Sequence, residues 1–145
     1  DLWEPYVAGY QMPVYTGEAY LQGYELTGDP VLLDAARKFA DWILAERPGK
    51  AGIQEGRWYD EYAKTWAPQG TYADKYGRAI LLLVGMHETT GDARYLQGAQ
   101  EYAEDAVSKL YRNGLFKGHP AKPYYEAVDG VGFLLQGLMA VSEAG

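Results

Sequence analysis

Cysteine is absent from this 145-residue sequence, so the chain holds no disulfide and offers no thiolate nucleophile or metal ligand. Histidine occurs only at 87 and 119, a spacing that builds no zinc site, and no EF-hand loop is present. No glycine-rich loop of the P-loop or dinucleotide type appears, and neither does a G-x-S-x-G nucleophile elbow. No metal and no cofactor is therefore expected. Cations are the minority charge: 13 Lys and Arg against 20 Asp and Glu leave a net charge of −7. That balance disfavours a nucleic-acid partner, because phosphate binding needs clustered Lys and Arg. No apolar run approaches the roughly 18–20 residues that cross a bilayer, so no membrane partner is expected either. The first residue is Asp1, with neither Met nor a signal peptide before it, which reads as a piece processed or excised from a longer protein. The compartment is left open.

What is present is aromatic and helical. Tyr occurs 14 times, high for a soluble chain of this length. Such a length suits a single domain with a real core, here residues 1–145. Pro13 opens a helix that runs to about Leu26, and Thr27-Gly28 ends it. Asp29-Pro30 serves as N-cap and first residue of the next, in which Leu32, Ala36, Phe39 and Ile43 recur at helical spacing. A third helix is predicted from about Asp74 to Thr89, a fourth from Ala93 to Leu110, and a fifth from about Glu126 to Ser142.

The sequence repeats. TGDPVLLDAARKFADWIL at 27–44 aligns with TGDARYLQGAQEYAEDAV at 90–107, matching Thr, Gly and Asp of the turn, Leu33 with Leu96, Ala36 with Ala99 and Ala40 with Ala103. The unit is a helical hairpin with a short Gly-Asp turn, followed by a long connection, and such a period implies stacked hairpins. Odd and even helices differ in kind. The odd ones are rich in glycine, and 79–86 and 130–142 carry no charge, whereas the even ones are charged throughout. Glycine costs roughly 1 kcal/mol relative to alanine inside a helix, so its concentration calls for close helix approach. The odd helices are expected to form an inner layer and the even ones an outer layer.

The turns in YELTGDPVLLDAARKFADWIL and HETTGDARYLQGAQEYAEDA, with the glycine-rich helix AVDGVGFLLQGLMAVSEAG, make the chain resemble the (α/α) toroid superfamily of six-hairpin glycosidases and polysaccharide lyases. The resemblance covers most of the chain at the level of architecture and carries over no catalytic residue. It implies an all-α fold of antiparallel helical hairpins in two layers, part of a larger toroid, with open edges through which the piece would self-associate. It also implies a saccharide substrate.

If the odd helices line the inside, the connections 1–12, 48–74 and 111–125 lie together at one end. They hold more than half of the aromatic residues and three of the four Trp, while the turns at 27–29 and 90–92 hold none. Aromatic faces suit the C–H faces of sugar rings; the competing reading is that they cap a core that small-residue helices leave open. Trp3, Arg57, Trp58, Tyr59, Tyr62, Lys64, Trp66, Tyr72 and Tyr125 are the candidate substrate-binding residues. Glycoside hydrolysis needs two carboxylates, and Asp60, Glu61, Asp74, Glu126 and Asp129 are available at this end. Asp60, amid aromatic neighbours, and Asp129, before an uncharged run, are preferred; Asp74 reads most simply as a helix N-cap. Elimination across a uronate needs instead a cation and a proton-moving Tyr, His or Lys, for which His119 and Tyr124, with Lys117 and Lys122 nearby, are candidates. Cations and Tyr accompany the aromatics on two of the three connections, which tilts the expectation toward a lyase. A non-catalytic helical-repeat module that binds glycan or protein is the alternative. His87, beside a short turn, reads as structural.

Overall fold

The structure is a computed structural model that describes residues 12–46, 59–60, 65–66, 70–123, 125 and 130–145; at 12, 13, 46, 59, 60, 65 and 66 the description is of the backbone. Five helices account for most of it: α1 (Met12–Thr27), α2 (Pro30–Glu46), α3 (Ala73–Thr90), α4 (Ala93–Leu110) and α5 (Val131–Ala144). Two antiparallel ribbons of two residues per strand complete it. β1 (Tyr59–Asp60) pairs with β2 (Thr65–Trp66), and β3 (Tyr111–Arg112) with β4 (Leu115–Phe116). The fold is all-α, with ribbons in connections that sequence pattern marks only as irregular.

The two repeated turns have the same hydrogen bonds. In the first, the Gly28 N–H donates to the Tyr24 carbonyl at 2.7 Å, and in the second the Gly91 N–H donates to His87 at the same distance. Each glycine sits at positive φ, 70° and 72°, the left-handed conformation that closes a helix at least cost without a Cβ. The preceding threonine hydroxyl donates back to its own helix, Thr27 to Gly23 and Thr90 to Met86. The following aspartate caps the next helix, Asp29 accepting from the Val31 N–H at 2.9 Å and Asp92 from Arg94 at 3.0 Å. His87 reinforces the second turn, its Nδ1 lying 3.1 Å from the Asp92 carbonyl oxygen.

Each turn joins an antiparallel pair, α1 with α2 and α3 with α4, while α3 also packs extensively on α5. The helix α3 is the one packed substantially against all four others. That position explains its sequence: Tyr76, Ala79, Ile80, Leu82, Leu83, Val84 and Met86 are buried, so apolar residues surround the axis. In α2 and α4 burial falls on one stripe, Ala36, Ala40 and Ile43 in the former and Tyr95, Ala99, Tyr102, Ala103 and Ala106 in the latter. Tyrosines tie the two helices together, Tyr95 donating to Asp41 and Tyr102 to the Ile43 carbonyl, each at 2.8 Å.

Glycine supplies the close approach of α3 and α5. A Cβ on Gly77 would overlap the Phe133–Leu134 peptide, and one on Gly137 would stand 3.0 Å from the Gly77 carbonyl oxygen. Two boundaries differ from expectation. The fifth helix starts at Val131 rather than near Glu126, because Gly130 takes positive φ (74°) and leaves helical geometry. The N-cap of α3 is Tyr72, not Asp74; Asp74 lies within the first turn and has other partners.

Candidate functional site

The start of α1, the end of α2, the start of α3, the end of α4 and the start of α5 share one end of the molecule, opposite the two short turns. Here α3 draws its neighbours together through polar side chains. From α1 come Tyr15 and Glu18, one turn apart; from α3 come Asp74, Lys75 and Arg78, again within one turn; from α5 comes Phe133. Residues at i and i+3 share a helix face, so the two rows meet across the α1–α3 seam.

Arg78 is the centre of this cluster. Its guanidinium lies between two rings, 4.4 Å from the Tyr15 centroid and 4.0 Å from that of Phe133, and its Nη1 donates to Glu18 Oε2 at 2.8 Å. Two ring contacts and an ion pair together restrain the cation, and its remaining N–H groups suit an anion. Its Nε is shielded from solvent and has no hydrogen-bond partner among the described residues. The Lys75 ammonium is buried; it donates to the Tyr15 hydroxyl at 3.2 Å and to Asp74 Oδ2 at 3.1 Å, and the Tyr15 hydroxyl stands 3.4 Å from the same carboxylate oxygen. Burial pushes the Glu18 carboxyl above the usual carboxylate range, against the opposing pull of Arg78 and Lys75. The cluster thus offers a clamped cation, a hydroxyl between an ammonium and a carboxylate, and an acid that holds its proton more tightly than usual.

The 111–125 connection folds over the start of α3 beside this cluster. The Ala73 N–H donates to the Gly118 carbonyl at 2.8 Å, and the Tyr72 ring packs on His119 with centroids 4.6 Å apart. His119 is fully buried, its Nδ1 accepting from the Ala121 N–H at 3.1 Å. An Nδ1 that accepts places the proton of the neutral ring on Nε2, which lies beside the Gly70 backbone but falls short of full hydrogen-bond geometry. Burial, helped by the Lys122 ammonium and opposed by the Gly70 backbone, pushes its pKa down to about 4. His119 therefore stands in the connection as a neutral imidazole that packs the loop onto the helix.

Of the other candidates, Tyr72 lies between His119 and the Lys122 ammonium, which is 5.4 Å above its ring. Tyr125 is 41% exposed and donates its hydroxyl to the Arg112 carbonyl at 2.9 Å, holding the connection to the second ribbon. Asp60 and Tyr59 are in β1, opposite Thr65 and Trp66 of β2, so the first ribbon brings two aromatic positions and one carboxylate position side by side. Trp3, Arg57, Trp58, Tyr62, Lys64, Tyr124 and Asp129 lie outside the described residues, as do Glu61 and Glu126. Lys117 donates its backbone N–H to Leu110 and continues the second ribbon. Sequence reasoning did not single out Tyr15, Glu18, Lys75 or Arg78. One signal was available: Lys75 and Arg78 are the last cations before the uncharged run 79–86, at the end of α3 where the connections gather.

Among the described residues no cluster of three His, Asp or Glu is arranged to hold a metal ion. An open groove of about 450 Å³ lies elsewhere, between α2 and α4, lined by Asp41, Leu44, Arg94, Gly98 and Glu101. Leu44 fills the space beside Gly98, Arg94 is engaged by Asp92 and Glu101 accepts from Gln97, so the α1–α3–α5 cluster is the better candidate. No described helix is long and apolar enough to cross a membrane. Compared with protein-family models, with curated proteins and with solved structures, the chain gives no match.

Proposed function

We propose that this chain is part of an (α/α) toroid and acts as a carbohydrate-active module, cleaving glycosidic bonds of a polysaccharide or oligosaccharide with a uronate-containing substrate, by elimination in preference to hydrolysis. The observation that carries the reading is the Arg78 guanidinium held between the Tyr15 and Phe133 rings, one turn from the Lys75–Tyr15 pair, at the end where the aromatic connections gather. Elimination needs its parts in this combination. A cation neutralises the uronate carboxylate so that the adjacent C–H becomes acidic. A hydroxyl group within reach of that carbon takes the proton, the C4–O bond breaks as the C4–C5 double bond forms, and a proton is returned to the leaving oxygen. Arg78 suits the first role, and Tyr15 suits the second, because its oxygen accepts from the Lys75 ammonium while its own proton can pass to Asp74 Oδ2 beside it. In hydrolysis, Glu18 and Asp74 would be the paired carboxylates of this face, beside Asp60 and Asp129 of the connections.

The test is incubation with a panel of acidic and neutral polysaccharides, following reducing ends and unsaturated-uronate absorbance together. Both signals should rise with acidic substrates, and Y15F should abolish them while leaving saccharide affinity within about threefold. Reducing ends without absorbance would replace elimination by hydrolysis; silence in both would remove the enzymatic reading. One observation favours a second reading, a non-catalytic repeat module that binds protein. Phe133, Leu135 and Met139 of α5 are exposed in a run, 130–142, that carries no charge, and Met139 is 62% exposed. Saccharide binding without turnover, or no saccharide binding at all, would favour that module.

A further inference from the structure

We infer that Arg78 is a carboxylate-binding site it shares with Glu18, so that a carboxylate-bearing ligand and Glu18 compete for one cation and Glu18 takes up a proton when the ligand binds. The inference rests on the proposed ligand face, and adds to it a ligand class and a coupling. Three features of the geometry carry it.

First, Arg78 is under-used. A guanidinium has five N–H donors, yet among the described residues Arg78 makes a single hydrogen bond, from Nη1 to Glu18, and its buried Nε has no acceptor. An unsatisfied buried donor of a charged group costs on the order of 1–3 kcal/mol, and a carboxylate gripping Nε and Nη2 as a fork supplies the missing acceptor. Second, the Tyr15 and Phe133 rings lie 4.4 and 4.0 Å from the guanidinium carbon and cover part of its surface, so the N–H edge that Glu18 already uses is the natural approach for an anion. The side chains of Arg78 and Glu18 keep 23% and 18% of their surface, while Nε itself is covered and is reached only once a ligand group displaces that cover. Third, the local charge is balanced. The charged groups that act on Glu18 are Arg78 and, more weakly, Lys75, both from α3. Lys75 is already engaged by Asp74 and the Tyr15 hydroxyl, and residues 130–142 of α5 bring no charge at all. The residues of α2 contribute no charge that moves Glu18.

A second carboxylate arriving at this edge meets one cation and one resident anion in a partly buried place. Two carboxylates sharing a site cannot both stay ionised at ordinary cost, and the proton goes to the one that already ionises reluctantly. Burial has prepared Glu18 for that role. The ligand keeps its charge, Glu18 becomes neutral, and one proton is drawn from solvent per ligand bound.

The experiment is calorimetric titration of the protein with glucuronate, glucose and acetate, each in two buffers of different ionisation enthalpy. Glucuronate should bind with uptake approaching one proton, and its affinity should fall up to tenfold per pH unit as pH rises above the Glu18 pKa. E18Q keeps a hydrogen-bonding side chain and removes the competitor: it should bind glucuronate roughly tenfold more tightly, with no proton uptake and a flat pH profile. R78Q should lose the preference for glucuronate over glucose. Glucuronate binding without proton exchange, or an E18Q protein indistinguishable from the parent, overturns the inference and leaves the carbohydrate reading standing. Acetate binding with proton uptake, in a protein that binds neither sugar, does the reverse: it keeps the carboxylate site and removes the saccharide.

Discussion

The two ends of this molecule solve the same problem in different ways. Both must satisfy the polar groups that helices leave unpaired at their termini. At the turn end, five consecutive residues suffice: Thr27 to Val31 and Thr90 to Arg94 each close one helix and cap the next with bonds spanning no more than four positions. At the connection end, Tyr15 reaches Asp74 and Lys75 across 59 and 60 positions, Glu18 reaches Arg78 across 60, and Tyr76 reaches Asp105 across 29. The local end is interchangeable between repeats. The other end is not: its partners depend on which helices stand beside α3, and among the described residues an unpaired donor is left there, on Arg78 Nε. Polar capacity that the fold does not use for itself is the chemical basis of a site.

The largest effect that would sharpen this contrast is expected at Gly77. By helix propensity alone, G77A should stabilise α3 by about 1 kcal/mol. Because the new methyl group would overlap the Phe133–Leu134 peptide, destabilisation of roughly 1–3 kcal/mol is expected instead, together with a lower thermal midpoint. Denaturant melts that show G77A more stable than the parent would mean that α3 and α5 are not held at this distance.

Next in size is the pH dependence contributed by His119. Its folded pKa of about 4 lies below the ordinary value of 6.5, so the unfolded chain binds the proton more readily. The stabilising contribution is complete above about pH 6.5, declines as pH falls, and is gone below about pH 4. Parallel melts of the parent and H119Q should diverge in that window by an amount on the order of 1–3 kcal/mol. Superimposable profiles would indicate that the imidazole is not held neutral by the Tyr72–Lys122 surroundings.

The turn end should give smaller and matched effects. D29A and D92A each remove one N-cap and should each cost about 1 kcal/mol, nearly additively in the double variant because the turns share no partner. D92A also removes the ion pair with Arg94, which is exposed and screened by solvent and so adds little. A difference above about 1 kcal/mol between the two would break the equivalence of the turns. The smallest effect belongs to Tyr125, whose hydroxyl bond to Arg112 is exposed: Y125F should change stability by less than about 0.5 kcal/mol.

Residues themselves show why one end was legible and the other was not. Thr-Gly-Asp carries its instructions within three positions: a hydroxyl to bond backward, a residue free to take positive φ, and a carboxylate to cap forward. All four helix boundaries flanking these turns accordingly fell within one residue of expectation. Asp74 misled because an aspartate before an apolar run has the composition of a cap, while its carboxylate is claimed by Lys75 and Tyr15, and Tyr15 lies a whole hairpin away in the chain. His119 between Gly118 and Pro120 has the composition of an exposed loop, yet Tyr72 and the glycine at 70, where a Cβ would stand 3.0 Å from the ring, enclose it. The start of the fifth helix turned on one backbone angle at Gly130.

By itself, the sequence determined the helices, the repeated turns, and the stripe of small and apolar residues that each helix buries. These follow from interactions within about four residues and from the period of burial, both of which can be read along a chain. Only the tertiary structure decided that Arg78 stands between Tyr15 and Phe133, that Glu18 is its partner, that Lys75 is buried, and that His119 faces inward. Those outcomes depend on how closely α1 and α5 approach α3, and that distance is set by packing among residues some 60 positions apart.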